Sequence, residues 1–391
     1  MAKICINIDK IYGWGLNACG ELGIGNMNEI NSIIEIQRDD IARVFVNQNG
    51  STGYLKNNGD LWMSGNNTAY GIFGDPLIPK TCHISPVQIP GKFICVSGNN
   101  MYSTGGTNMF LKQDNTLWAS GYNGNGQLGQ SNITIRSSMV QIPGTWISIG
   151  NGQGSSFGIK SDCTLWAWGY NGEGSLGTNS IISRSSPVQI PGNWICITGV
   201  SIPNTTFGIK SDCTLWTWGH NFYGIFGLSY PPSCFVSSPV QIPGTWIDIS
   251  ASSNHIAAIK SDCTLWIWGY NDCGQIGDNT NNHRSSPVQV PGTWISVGAG
   301  LQQTIAIKPD CTLWTWGSTP NGTLPVRSVS SPTQIPGNYT YISTGGRNSF
   351  AIAKINKEYN KNYNRGPFTI NETYICSRGD NWSDFIPTID D

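Results

Sequence analysis

The chain has 391 residues and a formal net charge of -1, from 22 basic and 23 acidic side chains, and only 12% of its residues are charged. This composition argues against nucleic-acid binding, because a phosphate backbone is held by a dense cluster of Lys and Arg side chains. The 48 glycines, together with many Asn, Ser and Ile residues, predict short β-branched strands joined by turns, and few helices.

The N-terminal segment, residues 1–10, contains an apolar stretch that is too short for a secretory signal, and no run in the chain approaches 18 apolar residues. We therefore expect no membrane insertion, and a location in the cytoplasm or within an assembled particle such as a virion. Twelve cysteines in a large chain without a leader predict reduced thiols rather than a disulfide framework.

A repeated segment organises the chain from end to end. The ten-residue run Lys-Ser-Asp-Cys-Thr-Leu-Trp-X-Trp-Gly occurs three times at intervals of 50 residues, which is a period typical of a propeller or a solenoid. With one near-copy and three looser copies, seven units end at Gly15, Gly65, Gly121, Gly169, Gly219, Gly269 and Gly317. We expect a single repeat domain over residues 1–354 and a C-terminal extension over residues 355–391.

Each unit is predicted to contain four short strands. In one unit, residues 157–160 and 164–168 are β-prone and are separated by Ser-Asp-Cys, which predicts an antiparallel hairpin. A third run at residues 185–192 has prolines that suit an edge strand, and a fourth covers residues 194–198. Seven such units predict an all-β fold, a seven-bladed β-propeller of four-stranded antiparallel blades.

The two ends of the repeat array are incomplete units. The first copy, at residues 3–8, lacks the strand that precedes it in other copies, and the last copy has a surplus strand at residues 350–353. An open sheet edge invites aggregation, so we expect these two strands to meet and close the propeller.

The Trp-X-Trp pairs are predicted to form the structural core, although a ligand-stacking or light-absorbing role is an alternative. Both faces of these strands are apolar, and a blade packed between two neighbours supplies cover on both sides. The aromatic residue of the Pro-Gly-Thr-Trp motif, such as Trp146, is expected at the blade margin. We predict core positions for Trp118, Trp166, Trp168, Trp216, Trp218, Trp266, Trp268, Trp314 and Trp316.

These motifs resemble the repeats of the regulator of chromosome condensation family. That family combines a Gly-Ile-Lys-Ser-Asp-Gly-Thr-Leu-Trp-X-Trp-Gly hairpin, an Asn-X-X-Gly-Gln-Leu-Gly loop and a Ser-Pro-Val-Gln-Ile strand. The resemblance covers residues 3 to about 353, and residues 123–129, 171–177 and 271–277 carry the loop motif. The near-identical middle repeats are similar in style to bacterial, phage and large-virus members. The resemblance implies a seven-bladed propeller and roles in recognising proteins more than in chemistry.

Specialised roles within that family depend on features that we do not find in this sequence. The chromatin-binding exchange factor has a basic tail and an inserted wedge, and the plant ultraviolet receptor has a Trp-Arg-His motif. The leading interpretation is therefore a non-catalytic protein-interaction propeller, serving as a structural or attachment component of a virion or cell-surface assembly. The alternatives are a nucleotide exchange factor or regulator for a small GTPase and, third, a light or ligand sensor.

Cysteines occupy the hairpin turn of four units, in a slot that Gly59 and Asn115 hold in earlier copies. Gly and Asn tolerate positive φ, so Cys there predicts an altered turn or about 1 kcal/mol of strain. Equivalent points on packed sheets lie about 10 Å apart, which is too far for a disulfide. We therefore interpret these thiols as an inherited feature of duplicated repeats rather than a metal site. The four residues are Cys163, Cys213, Cys263 and Cys311.

Candidate catalytic groups do not form a recognisable motif. We find no P-loop, no Gly-X-Ser-X-Gly and no His-Glu-X-X-His, so we expect no enzymatic activity, catalytic residue, metal or cofactor. The histidines are expected to be structural, and three arginines that precede Ser-Ser are expected to bond neighbouring loops rather than an anion. These residues are His83, His220, His255, His283, Arg136, Arg184 and Arg284.

One irregular loop and the C-terminal extension are the predicted partner contacts. The loop after Gly219 has apolar residues, including Pro232, where other units have Asn, Thr and Ser; these residues either form a contact surface or pack on the neighbouring blade. The extension mixes charged residues with aromatic ones that are costly to leave in water. In a monomer or a larger assembly, we predict that a protein partner is bound by Tyr230, Pro231, Phe235, Phe368 and Trp382.

Overall fold

The structure is a computed structural model, and it is almost entirely β. It describes residues 3–360 except 39, 69, 102–104, 201–203, 232, 252–253, 319–327 and 346–347, and it describes the backbone alone at 3–9, 99–101, 105 and 354–360. The described residues contain 27 strands and a single 3-10 turn at Phe222–Gly224. No helix in the described part of the chain has the length and apolar character needed to cross a membrane.

The strands follow one another with few interruptions along the whole described chain. In chain order they are β1 (Lys3–Gly15), β2 (Ile30–Ile36), β3 (Ile41–Val46), β4 (Ser51–Lys56), β5 (Leu61–Asn66), β6 (Cys82–Ile89), β7 (Phe93–Met101), β8 (Gly105–Lys112), β9 (Leu117–Gly121), β10 (Arg136–Ile142), β11 (Trp146–Asn151), β12 (Ser155–Lys160), β13 (Thr164–Gly169), β14 (Arg184–Gly199), β15 (Thr205–Lys210), β16 (Leu215–His220), β17 (Phe235–Ile242), β18 (Trp246–Ala251), β19 (His255–Lys260), β20 (Thr264–Gly269), β21 (Arg284–Thr293), β22 (Ser296–Ala299), β23 (Gln303–Ile307), β24 (Thr312–Ser318), β25 (Ser328–Asn338), β26 (Tyr341–Gly345) and β27 (Asn348–Asn360).

These strands form seven four-stranded antiparallel sheets within the described residues, and the sheets are the blades of a β-propeller. Two blades share the long strand β14, whose first half is the outer strand of one blade and whose second half is the inner strand of the next. The inner strands line a central channel. The Ser-Pro-Val-Gln-Ile runs form the outer strands, where a proline costs no hydrogen bond because the edge of the sheet has no further partner strand. The predicted architecture is confirmed.

The propeller closes by pairing its first strand with its last. Strand β1 runs antiparallel to β27, from Lys3 opposite Asn360 to Gly15 opposite Asn348. The closing blade therefore has the order β26, β27, β1, β2, with its two outer strands taken from the start of the chain. This confirms the predicted meeting of the two strands, and the pairing continues beyond residue 354.

A disulfide joins the closing blade to its neighbour. Cys19, in the loop between β1 and β2, is bonded to Cys82 at the start of β6, and their Cα atoms are 4.9 Å apart. The expectation of reduced thiols is therefore wrong for this pair. The 10 Å spacing applies to equivalent positions on neighbouring blades, whereas these two cysteines lie on facing segments at non-equivalent positions.

The second tryptophan of each Trp-X-Trp pair is fully buried between two blades, as predicted. The indole Nε1–H of Trp168 donates to the backbone carbonyl of Gln127 in the loop of the preceding blade, at 2.8 Å. The indole therefore contributes both apolar burial and a hydrogen bond between blades. The same bond joins Trp218 to Ser175, Trp268 to Ile225 and Trp316 to Gln275.

The first tryptophan of each pair is only half-buried, so the prediction of a core position is wrong for these residues. Trp216 donates its indole N–H to Thr214 Oγ1 at 2.7 Å, and Lys210 Nζ lies 3.7 Å from the ring centroid. This tryptophan is nearer the hairpin turn, where a lysine of its own blade covers the ring. The half-buried tryptophans are Trp118, Trp166, Trp216, Trp266 and Trp314.

The tryptophans of the Pro-Gly-X-Trp motif were expected at the blade margin, but they lie in the core. Trp146 is fully buried and its ring centroid is 5.8 Å from that of Trp168. These residues begin the inner strands, where two blades converge, and this position explains their burial. Trp194, Trp246 and Trp294 are buried in the same way.

The hairpin turns have the backbone conformation that the Gly and Asn slots predict. Cys163 has a φ of 62°, a left-handed conformation, and its N–H donates to the carbonyl of Lys160 at 2.9 Å. The other three turn cysteines have φ values between 61° and 64°. The strain expected for a non-glycine residue in this region is therefore present in four turns.

Candidate protein-interaction surface

The two faces of the propeller differ in their connections. One face carries the tight hairpin turns with the repeated cysteines, and we call it the short-turn face. The other carries the connections between the third and fourth strands of the blades, such as residues 170–183 and 221–234, and we call it the long-loop face. Because these longer loops carry the sequence variation between blades, the long-loop face is the candidate surface for recognising a particular partner.

A buried asparagine holds each described long loop in place. Asn171 Nδ2 donates to the carbonyls of Ser180 and Ile182 at 2.9 and 3.1 Å, and its Oδ1 accepts from the N–H of Leu176 at 2.9 Å. One buried amide thus satisfies three backbone groups, so the loop is fixed from below and its other side chains project outward. The equivalent residues are Asn17, Asn67, Asn123, Asn221 and Asn271.

The residue after this asparagine differs between loops, and so does the aromatic residue that precedes the asparagine. In one loop it is Gly172, and a Cβ at that position would collide with the hydroxyl of Tyr170, which lies across its own loop. In the next loop Phe222 takes the glycine position and His220 the tyrosine position. In this loop the His220 ring lies 5.6 Å from Phe222 and 4.5 Å from Phe235, so three aromatic rings of one blade are in contact.

Six aromatic rings form a continuous cluster over two adjacent blades. His220 stacks at 4.5 Å from Phe235, and Phe222 lies 4.2 Å from Tyr223. Tyr223 reaches the next blade, where its ring centroid is 5.0 Å from that of Tyr270. We call this cluster the aromatic surface; its members are His220, Phe222, Tyr223, Phe235, Tyr270 and His283.

Three members of the aromatic surface are exposed to solvent. Phe235 is 56% exposed and Tyr223 is 37% exposed, and His283 is exposed as well. Tyr223 has a φ of 55°, a left-handed conformation that costs a non-glycine residue about 1–2 kcal/mol. The equivalent Glu173 and Cys273 do not adopt it. A strained aromatic residue kept at the surface is a feature typical of binding sites.

Carboxylates border the aromatic surface at both ends. Glu173 Oε1 lies 3.9 Å from His220 Nδ1, and Asp272 Oδ1 lies 3.6 Å from His283 Nε2. Burial lowers the pKa of His220 below 6.5, so this imidazole is neutral at pH 7. The border of the surface is therefore negative.

The arginine that follows the loop of Asp272 pairs with a carboxylate of that loop. Arg284 bonds Asp278 through Nε at 2.7 Å and through NH2 at 2.6 Å. This agrees with the expectation that Arg284 bonds a carboxylate of an adjoining loop rather than an anion. Arg136 and Arg184, the equivalent residues in other blades, are exposed.

The sequence prediction located part of this surface. Phe235 lies within it, and Tyr230 is 41% exposed while its ring contacts the buried Phe226 edge-on at 6.1 Å, so Tyr230 is partly exposed and packs within its own loop. Pro231 is exposed, and its carbonyl accepts from Asn221 Nδ2. The predicted contacts Phe368 and Trp382, like Pro232, lie outside the described residues.

Sequence reasoning missed most of the aromatic surface. Phe222 and Tyr223 replace a Gly-Glu pair of the neighbouring copy, and this departure from the repeat was the available signal. Tyr270 and His283 belong to a regular copy and carried no such signal. His220 was expected to be structural. It occupies the position of Tyr170 and Tyr270 in the neighbouring copies, but that expectation overlooks its stacking on Phe235.

The central channel is a second feature to consider. It has a volume of about 190 Å³ and is lined by inner-strand residues that are mostly small, such as Ser97, Gly150 and Thr198. Phe45 is the aromatic residue among its described lining, and it is 7% exposed. The channel therefore offers less aromatic contact area than the surface on the long-loop face. Within the described ranges, no group of three His, Cys, Asp or Glu side chains converges on a point that could hold a metal ion.

Comparisons with known proteins identify the type of repeat. Two family models, both described as the regulator of chromosome condensation (RCC1) repeat, match residues 246–275 and 263–307. The comparison with curated protein sequences found no match.

Several solved structures share the fold over most of their length. Human WBSCR16 is 17% identical with a TM-score of 0.76, covering 88% of this chain and 98% of its own. Prp20p from Saccharomyces cerevisiae is 18% identical with a TM-score of 0.75, covering 90% of this chain and 92% of its own, and is described with its binding to Gsp1p and histones. Yeast RCC1 (Prp20) bound to Kap60 is 18% identical with a TM-score of 0.76, covering 91% and 90%. At these identities the likeness shows a shared fold.

Proposed function

We propose that this chain, an RCC1-like repeat β-propeller, is a non-catalytic module that binds a protein partner through the aromatic surface on its long-loop face. The observation that carries the proposal is the unbroken series of ring contacts from Phe235 to His283, which crosses two blades and leaves Tyr223 and Phe235 exposed. Aromatic residues at the centre of an interface often contribute about 2 kcal/mol or more each.

The loops that carry this surface are organised before any partner arrives. Asn221 bonds the carbonyls of Tyr230 and Pro231 and the N–H of Phe226, so the backbone around the exposed rings is already fixed. A preorganised surface loses little conformational freedom on binding, and the apolar area of its rings then contributes more fully to affinity.

A structural or attachment role in a virion or cell-surface assembly remains our specific proposal for the biological setting. The low charge of the chain supports it, since a near-neutral surface suits stable packing within an assembly. The predicted contacts Phe368 and Trp382 belong to the same proposal, and deletion of residues 366–391 is expected to leave a folded propeller that no longer joins its native partner.

Affinity purification with the Phe235→Ser variant tests the proposed surface. We expect the variant to retain less than about a tenth of the partner captured by the unmodified chain, since an interface aromatic contributes about 2 kcal/mol. Ile182→Ser is the matched control, because Ile182 is 62% exposed on the loop of the preceding blade. Equal losses in both variants, or no loss in Phe235→Ser with an unchanged melting temperature, would contradict the assignment of the surface.

A second candidate function is nucleotide exchange on a small GTPase. The fold likeness to Prp20p, which is described with its binding to Gsp1p, favours it. The direct test is release of fluorescent GDP from Gsp1p in the presence of this chain, with Prp20p as the positive control. Acceleration by this chain would support an exchange factor, and a rate equal to spontaneous release would leave the protein-binding proposal as the better one.

A further inference from the structure

Three rings of the aromatic surface form a compact platform at the boundary between two blades. The centroid of Tyr223 lies 5.0 Å from Tyr270 and 5.2 Å from His283, and the last two are 4.7 Å apart. Their planes are inclined to one another by 33° to 69°, so the platform does not present one flat stack to the solvent. We call these three rings the platform.

A carboxylate lies at the edge of the platform. Asp272 Oδ2 accepts the hydroxyl proton of Tyr270 at 2.6 Å, its Oδ1 is 3.6 Å from His283 Nε2, and its side chain is 58% exposed. The hydrogen bond from Tyr270 fixes the carboxylate beside the rings and raises the pKa of Tyr270 to about 12, so this phenol stays a neutral donor. The negative ring faces and the carboxylate together favour a positive group at this position.

Elsewhere in the propeller, partly exposed aromatic rings are covered by cations. On the short-turn face, half-buried tryptophans bond Thr hydroxyls that in turn bond Asp carboxylates, and a lysine of the same blade covers each ring. Lys210 lies 3.7 Å from the centroid of Trp216, and Lys260 lies 3.9 Å from that of Trp266. Among the described residues, no Lys or Arg lies over a ring of the platform, and the nearby Arg284 is bonded to Asp278.

We propose that the platform is a binding site for a guanidinium group, supplied by an arginine side chain of the protein partner. This inference rests on the proposed function. A guanidinium is planar and weakly hydrated. It can therefore stack on a tyrosine ring while the N–H groups in its own plane donate to a carboxylate at the edge of that ring. An ammonium covers the tryptophans of the short-turn face, but it is a compact charge that cannot stack along a ring and pair with the neighbouring carboxylate through two parallel N–H groups.

The test is selection of a displayed library of random 12-residue peptides on the full chain. We expect Arg to be enriched among the bound peptides, and we expect Asp272→Asn to weaken the selected Arg peptides by about 5-fold, the range of a partly exposed charge pair. The Asn variant keeps the acceptor for Tyr270 and removes only the charge. Asp272→Glu should retain most of the binding, and an unchanged melting temperature shows that both variants fold.

Each outcome separates this inference from the proposed function. Peptides that depend on Phe235 but show no Arg enrichment would overturn the guanidinium site and leave the protein-binding surface intact. Enrichment of Lys equal to that of Arg would replace the guanidinium with a general cation. Binding that is unaffected by both Phe235→Ser and Asp272→Asn would overturn both proposals.

Discussion

The short-turn face and the long-loop face of this propeller are built by the same repeats, but they diverge to different extents. On the short-turn face, five blades share one arrangement in which an indole N–H donates to a Thr hydroxyl and the Thr donates to an Asp. On the long-loop face the buried Asn is repeated, while the exposed residues above it differ from blade to blade. The repeated contacts fix the hairpins and loops of the individual blades, and the exposed positions that differ between blades are candidates for recognition.

The largest effect expected from this comparison separates the two tryptophans of one pair. Trp218 is fully buried and bonds the carbonyl of Ser175, whereas Trp216 is half-buried beneath Lys210. Trp218→Ala should lower the free energy of unfolding by about 3–5 kcal/mol. Trp216→Ala should cost less than half as much, since part of its ring already contacts water. Urea denaturation of both variants measures the difference, and equal losses would contradict the assignment of Trp216 to the margin.

A smaller effect is expected when the buried amide of one long loop is removed. Asn171→Ala deletes the bonds to Ser180, Ile182 and Leu176 and leaves their backbone groups without this partner. An unmade bond to a buried backbone group costs about 1–3 kcal/mol, so we expect a loss of about 2–4 kcal/mol in unfolding free energy. Thr164→Ala in the exposed hairpin turn of the same blade is the control and should cost less. A larger loss in the control would mean that the turns, and not the loops, are the rigid part.

A pH series tests the repeated turn contacts on the short-turn face. Hydrogen bonds from Thr164 hold the pKa of Asp162 below its usual 3.8, and four other blades repeat this at Asp114, Asp212, Asp262 and Asp310. A carboxylate with a depressed pKa contributes stability above its unfolded pKa and loses it as the pH falls through the folded value.

We therefore expect the urea midpoint to fall from about pH 4 downward, near the unfolded pKa of Asp. The variant in which these five Asp residues become Asn should show a flatter decline over that range. Identical declines in the two proteins would assign the acid sensitivity to other carboxylates.

The sequence predicts the architecture well because its signal is repeated. The spacing of the Trp-X-Trp runs predicts the blades, and the incomplete first and last copies predict the pairing of β1 with β27. The burial of individual tryptophans is not predictable from alternation, because Trp216 and Trp218 share a strand face and differ only in their distance from the turn. The contact between Tyr223 and Tyr270 joins two loops that are distant in sequence, so it appears only when the blades are placed side by side.

The smallest effect concerns the cysteines of the hairpin turns. Cys163, Cys213, Cys263 and Cys311 have φ values of 61° to 64°, a region in which a side chain is strained and glycine is not. Replacement of all four by Gly removes that strain but also increases the freedom of the unfolded chain, and the two terms are each about 1 kcal/mol per site. We therefore expect a melting temperature that is unchanged or slightly raised. Cys163→Ala is the control, since Ala keeps the strain and removes only the thiol. A marked fall in the glycine variant, together with a fall in the alanine control, would show that the thiols themselves stabilise the short-turn face.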